Sequence, residues 1–203
     1  LGVPSKKQEK SWFRTWEKRL PKSGKITFFD RSWYSRALIQ PAMEYCSESQ
    51  YKYFMKKVNA WESDLISNGL IIIKFYLSLS KESQEIRFHF RENNDLKYWK
   101  LSPNDWKAHN NWQLITDYKE QMFKKTSTPR SPWVVINSNN KMIARLNAMR
   151  YVLSNIDYDN KKKLKPRKWS KDSPNYSLNL YGVEFKHLTF EQYKVLSQIK
   201  KHE

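Results

Sequence analysis

A chain of 203 residues with 38 Lys and Arg against 20 Asp and Glu carries a net charge of +18. The length fits one domain with a substantial core, and 39% apolar content with nine Trp, twelve Tyr and ten Phe excludes a disordered chain. The charge calls for a polyanionic partner, because self-repulsion on this scale is a cost that a neutral substrate does not explain. Nucleic acid, an anionic membrane and inorganic polyphosphate all qualify on charge alone.

The single Cys46 rules out an internal disulfide. The four histidines, His89, His109, His187 and His202, show no metal-ligand spacing with one another or with Cys46, so no zinc site is expected. The longest apolar run, Leu70 to Tyr76, is too short to span a bilayer and contains Lys74, and the N-terminus lacks a signal-peptide core. A soluble, cytoplasmic protein with no membrane partner is the expectation.

In chain order, Ser5-Lys6-Lys7-Gln8 is a capping-box pattern, and a helix is predicted over 5–20, stopped by Pro21. Ile26 to Phe29 reads as a buried parallel strand bounded by Gly24. Helices follow over about 33–45 and 47–67. The second opens with the box Ser47-Glu48-Ser49-Gln50, closes at Asn68-Gly69, and carries an apolar stripe of Tyr51, Phe54, Val58, Trp61 and Leu65. The run 70–77 is the strongest strand and should be central. A helix over about 81–91 leads into a basic, aromatic stretch at about 92–102 with the composition of a lid. Ser102-Pro103 starts another helix, and a further one is predicted over about 113–125. Trp133 to Asn137 reads as a third buried strand. An amphipathic helix over 140–155 should turn Met142, Leu146, Met149 and Leu153 inward. Strands alternating with helices give an α/β fold with a parallel sheet. Beyond Tyr158 the character changes. Residues 161–171 hold seven positive charges and no acid, which suits an extended arm, and Thr189-Phe190-Glu191-Gln192 signals a terminal helix.

The stretch that organises the chain is 25–37. In open α/β sheets ligands sit beyond the carboxyl ends of the strands. Asp30, at the end of the strand predicted over 26–30, stands there with Arg31 and Arg36 beside it. A carboxylate between two guanidiniums suits a magnesium–polyphosphate substrate, the acid holding Mg2+ and the arginines forking onto phosphate oxygens. Equally, Asp30 or Ser32 can simply cap the next helix, leaving the arginines solvated.

The motif Asp30-Arg31-Ser32-Trp33-Tyr34 with Arg36-Ala37 resembles the Walker B region of the family-2 polyphosphate kinases. Trp99-Lys100-Leu101-Ser102-Pro103 resembles that family's lid signature. Met122-Phe123, Thr126, Thr128-Pro129, Pro132-Trp133 and Arg145-Leu146-Asn147 resemble its last strand and the helix after it. The likeness covers residues 1 to about 158. It implies a P-loop kinase-like catalytic domain over 1–158, with a five-stranded parallel sheet flanked by helices, a helical lid at about 92–102 and a basic extension over 159–203. The implied activity is reversible, Mg2+-dependent phosphoryl transfer between inorganic polyphosphate and a nucleoside phosphate, ADP to ATP first among them, by a homo-oligomer.

Carried over residue by residue, Asp30 is the implied metal ligand, and Arg31 and Arg36 lie on the transfer path. Arg87 and Arg91 face the polyphosphate, and Lys97 and Lys100 belong to the lid. Ser35 and Gln40 stand where relatives commonly show Asn and Glu, which leaves AMP, ADP and GDP open as nucleotides. None of the four glycines, Gly2, Gly24, Gly69 and Gly182, forms a G-x-x-x-x-G-K loop. The family's Walker A loop and first strand are therefore expected outside this sequence, upstream of Leu1 or on another chain, which would deprive the strands at 26–30 and 70–77 of a neighbour. The alternative from a different class is a non-catalytic polyanion or nucleic-acid binder built on the 161–171 arm and exposed aromatics.

Overall fold

The computed structural model describes Ser5, Glu9, residues 11–161, 176–180 and 183–188, together with Tyr193, Lys194 and Ser197. It divides into two units, Leu1–Ile156 and Asp157–Glu203. In the first, α1 (Trp12–Glu17) precedes a 3-10 turn at Trp33–Arg36. Next come α2 (Ile39–Ala42), α3 (Glu48–Ser67), β1 (Lys74–Ser78) and α4 (Lys81–Glu92). A second 3-10 turn at Tyr98–Lys100 leads to α5 (Pro103–Asn110), α6 (Trp112–Thr126), β2 (Trp133–Asn137) and α7 (Lys141–Asn155).

The helix starts are chemically specified. At α3, the Gln50 backbone N–H donates to Ser47 Oγ (3.2 Å) while the Ser47 N–H donates to Gln50 Oε1 (2.9 Å), a closed capping box. Before α5, the Ser102 N–H donates to Asp105 Oδ2 at 2.8 Å, with Pro103 opening the helix. Asn140 Oδ1 accepts from the N–H groups of Met142 (3.0 Å) and Ile143 (3.2 Å) to start α7.

β1 and β2 pair in parallel from Lys74↔Trp133 to Ser78↔Asn137. Among the described residues this two-stranded ladder is the first unit's sheet, not five strands. The run 26–30 forms no strand, with a bend at Asp30 and Phe28 81% exposed, and the ladder begins at Lys74 rather than at residue 70. The physical reason lies in the neighbours. Residues 128–131 fold into a tight bridge, Thr128↔Ser131, so β2 offers no partner before Trp133. No described strand lies against 26–29 at all. A run of β-formers becomes a strand only where another backbone takes up its hydrogen bonds.

The core is aromatic. Trp16, Trp33, Tyr34, Ala37, Phe54, Val58 and Met122 form its buried centre, with Trp33 edge-on to both Trp16 and Trp61. The stripe on α3 continues Tyr51, Phe54 and Val58 to Glu62, which is buried where Trp61 and Leu65 are only half-buried. The predicted inward face of α7 needs correction. Leu146, Met149 and Leu153 are about half exposed and Ala144 is its buried residue, because among the described residues no layer covers that side.

In the second unit, β3 (Tyr176–Leu180) and β4 (Val183–Leu188) form an antiparallel pair that the sequence reading did not anticipate. The 161–171 arm beyond Lys161, and the Thr189–Gln192 box, lie outside the described residues.

Candidate active site

The segment 25–29 leads to Asp30 and Arg31 at the surface, where both are exposed. Arg31 sits in the left-handed region with φ +63°, which costs a non-glycine residue roughly 1–2 kcal/mol. The chain is reversed there so that it can enter the 3-10 turn, and Ser32 caps that turn by accepting from the Tyr34 N–H at 3.3 Å. The capping reading of Ser32 is therefore correct. It does not compete with a phosphate role for the exposed pair beside it. No hydrogen bond or ion pair among the described residues engages the Asp30 carboxylate, so it is free to ligate.

That test matters for magnesium, which the family resemblance implies. Among the described residues no cluster of three or more His, Cys, Asp or Glu could hold a metal. Mg2+ does not require one, since it keeps several waters and binds through one or two carboxylates plus substrate phosphates. A solvent-facing Asp30 fits that donor set.

Arg36 is placed differently from its neighbours. It is 2% exposed, its guanidinium lies 4.4 Å from the Trp12 ring centroid, and its Nε and Nη2 have no hydrogen-bond partner among the described residues. Burial pulls its pKa down, partly offset by Cys46 and Glu9. Gln40 is also buried, with an Oε1 that has no partner among the described residues, and Ser35 is half-buried. The structure thus brings Asp30 and Arg31 together at the surface and separates Arg36 from them beneath an indole.

The other candidates gather around α4. Arg87 Nη2 donates to the carbonyls of Ser138 (2.7 Å) and Asn139 (3.0 Å), tying α4 to the start of α7. Arg91 Nη1 reaches the Lys100 carbonyl at 3.4 Å. Lys97 Nζ lies 4.5 Å from the Phe90 ring centroid and Lys100 Nζ 4.9 Å from that of Trp99. Sequence reasoning missed Lys141 as a member of this group. Its ammonium is pushed below the ordinary lysine range by burial first and then by Arg87, Arg91, Arg145 and Lys97. Four cations from α4, the segment after it and α7 thus bear on Lys141, a field that a polyanion would neutralise.

Comparison with known proteins identifies what this arrangement belongs to. Residues 1–164 match the family model described as Polyphosphate kinase 2 (PPK2). The chain belongs to the polyphosphate kinase 2 family. Over 162 residues it is 41% identical to polyphosphate kinase PPK2B of Corynebacterium glutamicum, covering 79% of this chain and 53% of that protein. It is 39% identical to the GDP-polyphosphate phosphotransferase of Mycolicibacterium smegmatis, covering 79% of this chain and 57% of that one. The crystal structure of polyphosphate kinase 2 from Arthrobacter aurescens TC1 matches with a TM-score of 0.71 at 27% identity, over 81% of this chain and 62% of that chain. The chain spans about half the length of the curated relatives it matches.

Within this polyphosphate kinase 2 chain, the turn that presents Asp30 and Arg31 is anchored by residues that the sequence reading did not name as functional. Trp33 Nε1 donates to Glu62 Oε1 at 2.9 Å and Lys74 Nζ donates to Tyr34 Oη at 3.1 Å. Burial, then the Glu62 carboxylate, drives the Tyr34 phenol far above its usual range, so it stays protonated. The available signal was Lys74 itself, a lone cation inside an apolar strand run. Such a residue is almost never fully buried without a partner.

Proposed function

We propose that this chain carries the Asp30–Arg31 half of a Mg2+-dependent phosphotransferase acting between inorganic polyphosphate and a nucleoside phosphate. In the direction of ATP formation, a β-phosphate oxygen of ADP bonds to the terminal phosphorus of polyphosphate. The bridging P–O bond breaks, and the chain leaves one phosphate shorter. Asp30 would hold Mg2+, whose charge would offset that of the bridging phosphates. Arg31 would bind a phosphate of the reacting pair, and Arg87, Arg91, Lys97 and Lys100, joined by Lys141, would line the polyphosphate path. Arg36 would contribute the N–H groups that have no described partner once Trp12 moves off its guanidinium. This is positioning and charge neutralisation rather than covalent catalysis.

The observation that carries the reading is the exposed, unengaged Asp30–Arg31 pair at the end of 25–29, in a chain whose family match spans residues 1–164. The phosphate-cradling glycine loop is assigned to a segment outside this sequence, on the same or another polypeptide of a cytoplasmic homo-oligomer. In support, the matched stretch covers only 53% and 57% of the length of two relatives. No helix among the described residues is long and apolar enough to cross a membrane.

The test is ATP formation from ADP, long-chain polyphosphate and Mg2+. It would be run on this chain and on this chain completed with the segment of a relative that it does not match. The expected result is activity in the completed protein. Inactivity in both, with polyphosphate still bound, would replace the enzyme reading with that of a polyanion binder.

Lys141 gives the polyphosphate path a pH signature. Its pKa is lowered in the free protein, and a bound polyanion favours the ammonium. Binding therefore takes up a proton in the alkaline window between the lowered pKa and the ordinary lysine value of about 10.4. Affinity should fall as pH rises through that window. Titrating polyphosphate affinity against pH should show this limb in the wild type and lose it in Lys141→Arg, which stays charged throughout.

A further inference from the structure

Besides Arg36, the buried charges described in the first unit are Glu62 on α3 and Lys74 on β1, 2% and 5% exposed. Their side chains meet at 2.9 Å between Glu62 Oε2 and Lys74 Nζ. Lys74 has three N–H donors and three acceptors within reach: Glu62 Oε2, Tyr34 Oη and the Thr126 carbonyl, the last at 2.8 Å. Glu62 in turn accepts from Trp33 Nε1 through Oε1, and from Ser131 Oγ at 3.4 Å through Oε2. The network is closed, and two of its outer members, Trp33 and Tyr34, are consecutive residues of the turn after Arg31.

Stability alone does not account for such a pair. Well-packed apolar residues of similar volume commonly serve a core as well as a buried ion pair does. What apolar residues cannot supply is directional attachment at two adjacent side chains. Arg31 holds a left-handed backbone at φ +63°, a conformation that persists only where its surroundings over-determine it. On the downstream side, Trp33 is fixed by Glu62, and its carbonyl is held by Trp12 Nε1 at 3.0 Å. Tyr34 is fixed by Lys74 through its hydroxyl and by Ser32 through its N–H.

We propose that Glu62 and Lys74 are positioning residues. Through Trp33 and Tyr34 they lock the backbone of Arg31 and so set the geometry in which Asp30 and Arg31 receive a phosphate. The inference rests on the reading of Asp30 and Arg31 as the phosphate-handling pair. It makes a core ion pair, which touches no substrate, a determinant of affinity.

The test uses this chain and magnesium tripolyphosphate, with binding followed by calorimetry at a salt concentration that screens the general basic field. The double variant Glu62→Gln/Lys74→Met removes both charges while keeping volume. Its melting temperature should stay close to that of the wild type, while its affinity falls roughly tenfold, as expected for a misplaced binding group. The indole N–H resonance of Trp33 should move in the variant, and should no longer respond to ligand as it does in the wild type. Should the double variant not fold, Tyr34→Phe removes only the hydroxyl link, and its expected loss of affinity is severalfold.

Wild-type affinity in whichever of these variants is folded, with Arg31→Ala still weakened, overturns the positioning role and leaves the site standing. Wild-type affinity in Arg31→Ala, or no binding by the wild type, removes the site reading and the inference with it.

Discussion

Asp30→Asn, made in the chain completed to the length of its relatives, is expected to lower Mg2+-dependent ATP formation by roughly 10²- to 10³-fold. That is the usual loss when one preorganised charge-stabilising group is taken from a transfer site. The substitution changes no contact in the core, because Asp30 is exposed and engages no described partner. Thermal stability should therefore remain close to wild type, with the loss in kcat and in the response to Mg2+. The check is a magnesium titration of initial rates for both proteins. An Asp30→Asn protein that transfers phosphate at the wild-type rate would remove Asp30 from the metal-binding role.

The second large effect concerns stability. Lys74→Ala leaves the Glu62 carboxylate buried with Trp33 and Ser131 as donors but without its counter-ion. Removing one partner of a buried pair typically costs about 3–5 kcal/mol, because the remaining charge stays desolvated. Urea unfolding followed by tryptophan fluorescence should show the midpoint falling sharply at an unchanged slope. A shift of only a few tenths of a kcal/mol would mean that solvent reaches Glu62. By contrast, Lys52→Ala breaks the fully surface-lying pair with Glu48 and should leave the midpoint unmoved.

The parts of the fold legible in the sequence are those specified locally. Ser47 with Gln50, Ser102 with Asp105, and Asn140 each announce a helix start through hydrogen bonds closed within three residues. The helices that follow run close to the predicted spans. Trp133–Asn137 is legible as a strand, being short and bounded by turn residues, but it is not the buried strand expected, since Val135 is 54% exposed.

What was not legible depends on residues far along the chain. Ile26 to Phe29 has the composition of a strand, yet without a partner it stays outside the sheet. The apolar spacing of α7 gave the right helix and the wrong face, since periodicity marks an apolar side without saying whether anything covers it. At the site, the motif singled out Asp30 and Arg31 as neighbours that both prove exposed. It did not show that Arg36, five residues on, is folded under Trp12. Nor did it show that Glu62, 29 residues after Trp33, closes the network behind the turn. Such pairings are set by tertiary packing, where sequence distance carries little information.

The unpaired stretches also decide how the isolated chain behaves in a tube. Ile26 and Phe28 on one, and Ile71 on the other, are exposed beside main-chain groups that no described strand pairs. Open, apolar, β-prone backbone is a template onto which another copy can add. Neither stretch carries the proline, bulge or inward charge that normally blunts an edge. Aggregation of the purified chain should accordingly start at 26–29 and 71–73, and a net charge of +18 should restrain it only while salt is low.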